Sequence, residues 1–115
     1  MKDCPVKYAL DTLAGKWKMY IMYVLTETEG TIRFNELQRQ VGGISALMLS
    51  RTLTELEESG LVNRVEFDVI PPHVEYSLTD LGRALTPALD TLGEWGHQVW
   101  MANGCPAAPG RPTSM

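Results

Sequence analysis

Apolar residues recur along this chain with two different periods. From Val6 to Leu56 the spacing is helical, and from Leu61 to Leu78 it is two. Cys4-Pro5 suits a helix start, and Val6, Ala9, Leu10 and Leu13 predict a first helix that Gly15 stops. Trp17, Ile21, Val24 and Leu25 predict a second, ended by the polar stretch Glu29-Gly30-Thr31. Asn35 and Gln38 have the spacing of a capping box with Phe34 as its staple, and Leu37 and Val41 give the short helix that follows an apolar face. Gly42-Gly43 breaks that helix. Ser45 then predicts an N-cap, and Leu49, Leu53 and Leu56 a longer helix closed by Ser59-Gly60.

Beyond Leu61 the pattern turns to strands. Val65 and Phe67 alternate with Arg64 and Glu66, and Val74, Tyr76 and Leu78 alternate with Glu75 and Ser77, which predicts a hairpin whose loop is stiffened by Pro71-Pro72. Thr79 caps a last long helix with the stripe Leu81, Leu85, Leu89, Leu92, Trp95 and Val99, which Pro87 bends or divides. Residues 1–102 are expected to form one domain and residues 103–115, rich in Pro, Gly and Ala, a flexible tail. A domain of this size can hardly bury that stripe alone, so a second subunit is expected to cover it.

A short helix, a glycine turn, a longer helix and a hairpin, in that order, outline a winged helix-turn-helix, mainly α with a small β-hairpin wing. For the helix pair alone an ordinary helical hairpin is the alternative, and the hairpin that follows favours the wing. In such a fold the longer helix enters the major groove. Its leucine stripe faces the core, which leaves Ser45, Ala46, Leu47, Ser50, Arg51 and Thr54 for DNA. Hydroxyls there suit phosphates or bases, Arg51 suits guanine N7 and O6, and Ala46 or Leu47 a thymine methyl. Arg33 and Arg39, which flank the shorter helix, and Arg64 on the wing are candidate phosphate contacts; a solvated surface charge is the alternative for each. Glu55, Glu57 and Glu58 are expected to point away from the phosphates.

The net charge of −4 argues against a nucleic-acid partner, because Lys and Arg supply most non-specific affinity. Its distribution weakens the objection. Through residue 51 there are seven Lys and Arg against five Asp and Glu, and from residue 52 there are three against nine. Hydrophobic residues at 44% and charged residues at 21% are ordinary for a globular chain. The sequence has no signal-peptide pattern and no apolar run of membrane-spanning length, so the expected location is the cytoplasm and no membrane partner is expected.

Two cysteines, Cys4 and Cys105, near opposite ends, are too few for a disulfide scaffold or a four-ligand zinc site. No metal or cofactor is expected, since His73 and His97 lack ligand spacing. Cys4 is the candidate sensor: a helix N-terminus favours the thiolate, and Lys7 adds positive charge one turn on. A chemically quiet thiol is the alternative. Cys105 has the weaker claim, that of a resolving partner in a dimer. Trp17, Trp95 and Trp100 on apolar helices point to core or interface positions.

Taken together, Cys4-Pro-Val, Gly15-Lys-Trp-Lys, Arg33-Phe, Gly43-Ile-Ser, Leu53 through Leu56 with Glu57-Glu-Ser-Gly-Leu-Val, Pro71-Pro, Val74-Glu-Tyr-Ser-Leu-Thr-Asp-Leu-Gly and Glu94-Trp-Gly resemble the HxlR-type transcriptional regulators of bacteria. The resemblance spans about residues 4 to 96. It implies a homodimer, paired through its N- and C-terminal helices, that binds double-stranded DNA and represses or activates nearby genes. It also implies, for some members, a response to oxidants or electrophiles through a cysteine placed like Cys4, and for others a small-molecule effector. Two departures stand out. Leu47 replaces a polar or basic residue, and His73 an arginine after the paired prolines; both imply fewer phosphate contacts or an altered operator preference, and His73 a pH-dependent wing contact.

The expected activity is therefore non-enzymatic: two recognition helices about one DNA turn, roughly 34 Å, apart on a pseudo-palindromic operator. The alternatives are a winged-helix protein-protein interaction module that does not bind DNA and a small enzyme with Cys4 as nucleophile, which lacks an obvious base.

Overall fold

The computed structural model describes residues 4–104. Cys105 and the rest of the tail lie outside the described residues. The chain divides between Ala84 and Leu85 into two compact units.

The first unit runs α1 (Pro5–Thr12), α2 (Lys18–Thr26), β1 (Ile32–Arg33), α3 (Phe34–Val41), α4 (Ala46–Glu58), β2 (Val62–Phe67), β3 (His73–Leu78) and α5 (Asp80–Arg83). Its core is built from one face of each of α2, α3 and α4: Ile21, Met22 and Leu25 of α2, Leu37 of α3, and Leu49, Leu53 and Leu56 of α4 are almost completely buried. Each such side chain contributes roughly 1.5–3 kcal/mol by leaving water. Val62, Tyr76 and Leu78 close this core from the sheet.

The sheet has three antiparallel strands in the order β1-β3-β2. β1 was not anticipated, because two residues are too short to display an alternation. It pairs Ile32 with Tyr76 and Arg33 with Glu75. It also overturns the expected capping box at Asn35 and Gln38. The chain passes straight from strand to helix, so α3 starts at Phe34 and the extended Arg33 is its N-cap, with no side-chain cap bond.

The register of the hairpin has a further effect. Residues paired across a ladder share a face of the sheet. Val65 pairs with Glu75 and Phe67 with His73, whereas Val62 pairs with Leu78. Val65 and Phe67 of β2 therefore lie on the face opposite Val62, Val74, Tyr76 and Leu78, and remain 45% and 38% exposed. Beyond the Arg64–Tyr76 pair the wing is a projecting ribbon rather than a core layer.

Thr79 fastens the wing to the rest of the unit. Its hydroxyl accepts from the Gly82 N–H at 2.9 Å and donates to the Gly60 carbonyl at 2.7 Å. It is thus the N-cap of α5, as expected, but α5 is only four residues long.

The second unit contains α6 (Thr86–Ala102), which carries Pro87 in its first turn. The long C-terminal helix of the sequence reading is thus divided, consistent with proline being tolerated only where no intrahelical N–H is needed. Among its described residues Leu89 is buried, while Leu92, Trp95, Val99 and Met101 are exposed. In the first unit α1 buries none of its residues, and Val6, Tyr8 and Leu10 are each more than 60% exposed. Among the described residues no helix is long and apolar enough to cross a membrane.

Candidate nucleic-acid interface

The local chemistry of residues 41–58 orients α4. Gly42 and Gly43 both have positive φ, +75° and +72°, a conformation that side chains resist. Gln38 spans this turn, its amide Nε2 donating to the Ile44 carbonyl at 3.0 Å. Ser45 follows in extended conformation, and its Oγ accepts from the Met48 N–H at 3.0 Å, a hydroxyl cap of the kind worth about 1 kcal/mol. Leu49, Leu53 and Leu56 point into the core, and the buried Thr52 hydroxyl donates to the Met48 carbonyl at 2.8 Å. The opposite face consists of exposed Ala46, Leu47, Ser50, Arg51 and Thr54. All six residues assigned from sequence, Ser45 included, therefore fall on one solvent-facing surface. Leu47 is 69% exposed.

The candidate cations outside α4 are held differently. Arg33 Nε lies 4.0 Å from Glu75 Oε2. Arg39 bonds Glu36 on its own helix, with Nε to Oε1 at 3.0 Å and a second, shorter contact from Nη2. Arg64 Nη1 bonds Glu66 at 2.6 Å. The His73 ring is mostly covered, stacked on Phe67 at 4.8 Å between centroids, with Nε2 2.9 Å from Glu75 Oε2. Glu75 thus gathers Thr31, His73 and Arg33 around one carboxylate. The Thr31 hydroxyl, first, and His73 hold its pKa below the ordinary carboxylate value. In the same way Glu36 is lowered by Arg39 and Gln40, and Arg64 is raised by Glu66 and Tyr76. Arg51 alone among the candidate arginines makes no ion pair or hydrogen bond within the described residues.

A recess of about 110 Å³ adjoins Arg51, and sequence reasoning missed it. Met48, Arg51, Thr52 and Glu55, at helical spacing along α4, form one wall; Ala14 to Lys18 form the other. Lys18 Nζ reaches Glu55 Oε1 at 3.3 Å and also donates to the Thr12 carbonyl at 3.3 Å. The Lys16 ammonium sits 4.9 Å from the centre of the Trp17 ring. Glu55 is exposed, and a lysine from another element binds it. The Gly15-Lys-Trp-Lys run was the visible signal, but nothing in its spacing shows that it lies beside α4.

Cys4 is exposed and is the N-cap residue of α1, its carbonyl accepting from the Tyr8 N–H at 3.0 Å. The expected position at a helix start holds. Among the described residues no group of three or more His, Cys, Asp or Glu is arranged to hold a metal ion.

Known proteins share both sequence and fold with this chain. The HxlR-like helix-turn-helix family model matches residues 12–103. An HTH-type transcriptional regulator of Halalkalibacterium halodurans is 51% identical over 96 residues, covering 84% of each chain. Among solved structures, a MarR-family transcriptional regulator from Porphyromonas gingivalis superposes with a TM-score of 0.78 at 36% identity, over 84% of this chain and 93% of that one. The redox regulator HypR in its oxidised form superposes with a TM-score of 0.73 at 43% identity, over 83% of this chain and 96% of that one. With α4 exposed along one face, a three-stranded sheet that carries the wing and a family match over most of its length, the chain belongs to the HxlR-like helix-turn-helix family of DNA-binding transcriptional regulators.

Proposed function

We propose that the protein acts in the cytoplasm as a homodimer that reads a pseudo-palindromic operator through the Ser45-to-Thr54 face of α4. The observation that carries this reading is the unpaired Arg51 on the exposed face of a helix whose other face is fully buried. A guanidinium held by no carboxylate keeps its planar donors for a base edge, where guanine N7 and O6 accept both. Ser45 and Ser50 supply hydroxyls beside it, and Ala46 and Leu47 an apolar surface that matches a thymine methyl. Arg33, Arg39, Arg64 and His73 act more weakly. Arg39 and Arg64 are paired with the exposed carboxylates of Glu36 and Glu66, and such surface pairs add little, so a phosphate can displace them at small cost; Arg33 and His73 meet the mostly covered Glu75.

The dimer is supported by two sets of uncovered apolar residues, Val6, Tyr8 and Leu10 on α1 and Leu92, Trp95 and Val99 on α6. Exposed apolar surface on this scale marks an interface.

A second reading concerns regulation. The exposed Cys4 at the start of α1, together with 43% identity to a redox regulator, supports a response to oxidants or electrophiles through this thiol. The protein itself is not an enzyme in this account.

Mapping the DNA protected by purified protein, with salt titration, tests the reading. The expected result is a pseudo-palindromic footprint whose affinity falls steeply with salt. Protein that binds no duplex at low salt would instead fit the interaction-module alternative.

A further inference from the structure

We propose that the recess between residues 14–18 and α4 seats a backbone phosphate of the bound duplex, with Lys16 as its ligand and Lys18 as the residue that keeps the site cationic. This rests on the DNA-binding reading above.

The first argument is placement. An α-helix with its side chains is about 10–12 Å across and the major groove about 12 Å wide, so a helix in the groove has its flanks against the phosphate backbones. The stripe Met48, Arg51, Thr52 and Glu55 is such a flank, and it shares Arg51 with the outward face. Whatever lines the far wall of that recess stands where a phosphate passes. That wall is Ala14 to Lys18. The volume of about 110 Å³ exceeds the roughly 30 Å³ of a water several times over, enough to admit a tetrahedral oxyanion.

The second argument is charge. Three cations, Lys16, Lys18 and Arg51, share the recess with the single carboxylate of Glu55, on a chain whose net charge is −4. Lys16 has no carboxylate partner among the described residues, and its ammonium rests over the face of Trp17. That contact steadies the side chain and leaves its N–H donors unspent.

The third argument is the path taken by Glu55. It lies four residues after Arg51, a spacing at which opposite charges on a helix pair. Here Glu55 bonds Lys18 instead, at 3.3 Å, and Arg51 stays unpaired. Lys18 is therefore a positioning residue: it neutralises the one carboxylate in the recess and prevents it from capturing the arginine. Its side chain is only 15% exposed and is also anchored on the Thr12 carbonyl, so it is built into the wall rather than free to meet DNA.

The experiment measures duplex affinity against salt for the wild type, Lys16→Gln, Lys18→Met, Lys18→Met with Glu55→Gln, and Lys18→Met with Glu58→Gln. Two duplexes are used, one selected by the wild type from a random pool and one unrelated. Lys16→Gln is expected to weaken both severalfold and alike, and to lower the slope of log K against log salt by about one. Lys18→Met is expected to weaken binding, and Glu55→Gln to restore it. Glu58→Gln corrects the net charge equally but lies outside the recess, so it is expected to restore little. Thermal melts of each variant separate these effects from loss of fold.

An unchanged slope in Lys16→Gln, or equal rescue by the two glutamate changes, overturns the phosphate seat while salt-dependent wild-type binding leaves the DNA reading standing. A wild type that binds neither duplex overturns both. Inorganic phosphate that displaces the duplex at low millimolar concentration from the wild type, but not from Lys16→Gln, assigns the recess to a free phosphorylated ligand and also overturns the proposal.

Discussion

Gly82 packs against the backbone of Leu61 so closely that a Cβ added there would stand 2.2 Å from the Leu61 carbonyl oxygen. The same carbonyl accepts from the Thr79 N–H at 3.1 Å, so the start of α5 is held against the backbone that leads into β2. Neither partner is a flexible side-chain end that can swing aside. Gly82→Ala is therefore expected to destabilise the protein by about 1–3 kcal/mol, the usual range for overpacking. In a domain of this size that corresponds to a fall in Tm of several degrees, read by calorimetry. An unchanged Tm would show that α5 can shift away without loss.

Glu75 gives the fold a defined acid sensitivity. Because Thr31 and then His73 donate to its carboxylate, its pKa lies below the ordinary 4.5 in the folded chain. A group depressed on folding binds fewer protons in the native state, so its stabilisation is complete above the unfolded value and disappears as pH falls through the folded one. Wild type is expected to melt above Glu75→Gln near neutral pH, with the gap closing below about pH 4.5. A gap that persists undiminished to pH 3 would remove Glu75 as its cause.

Arg51 and Arg64 should respond differently to truncation. Arg51→Ala is expected to lose about 1–3 kcal/mol of binding to the selected duplex and to relax its preference at one base position. Arg64→Ala, already bonded to Glu66, is expected to lose less, and equally on selected and unrelated DNA. Competition binding with single-base variants of the operator distinguishes the two. Equal losses on every variant for Arg51→Ala would place that side chain on the phosphates instead.

Cys4 is testable without knowledge of the inducer. Treatment with diamide is expected to change the DNA affinity of the wild type and to leave Cys4→Ser unaffected. Equal responses of the two proteins would dismiss the thiol as sensor.

The parts of this fold that were legible in the sequence are those in which one periodicity decides the structure. The repeat of Leu49, Leu53 and Leu56 is enough to orient α4 and so to assign Ala46, Leu47, Ser50, Arg51 and Thr54 to solvent. Alternation likewise located both wing strands. What stayed hidden depends on pairing between distant residues. β1 exists only because Ile32 and Arg33 find Tyr76 and Glu75, some forty positions on, and its formation moved the start of α3. The register that turns Phe67 away from Tyr76 is invisible in either strand alone. The Lys18–Glu55 bridge joins residues of opposite charge that no local rule connects. It redefined the candidate site by adding Lys16 and Lys18 to it.

The unburied α1 has a consequence for how the regulator behaves on dilution. Eight residues are too few for a helix to persist in water on propensity alone. If assembly is what covers Val6, Tyr8 and Leu10, then helicity at the N-terminus becomes a readout of protein concentration, and the thiol that caps it is sheltered or laid bare by the same equilibrium. Backbone amides of residues 8–12 would exchange with solvent faster as the protein is thinned out, long before the leucine core gives way.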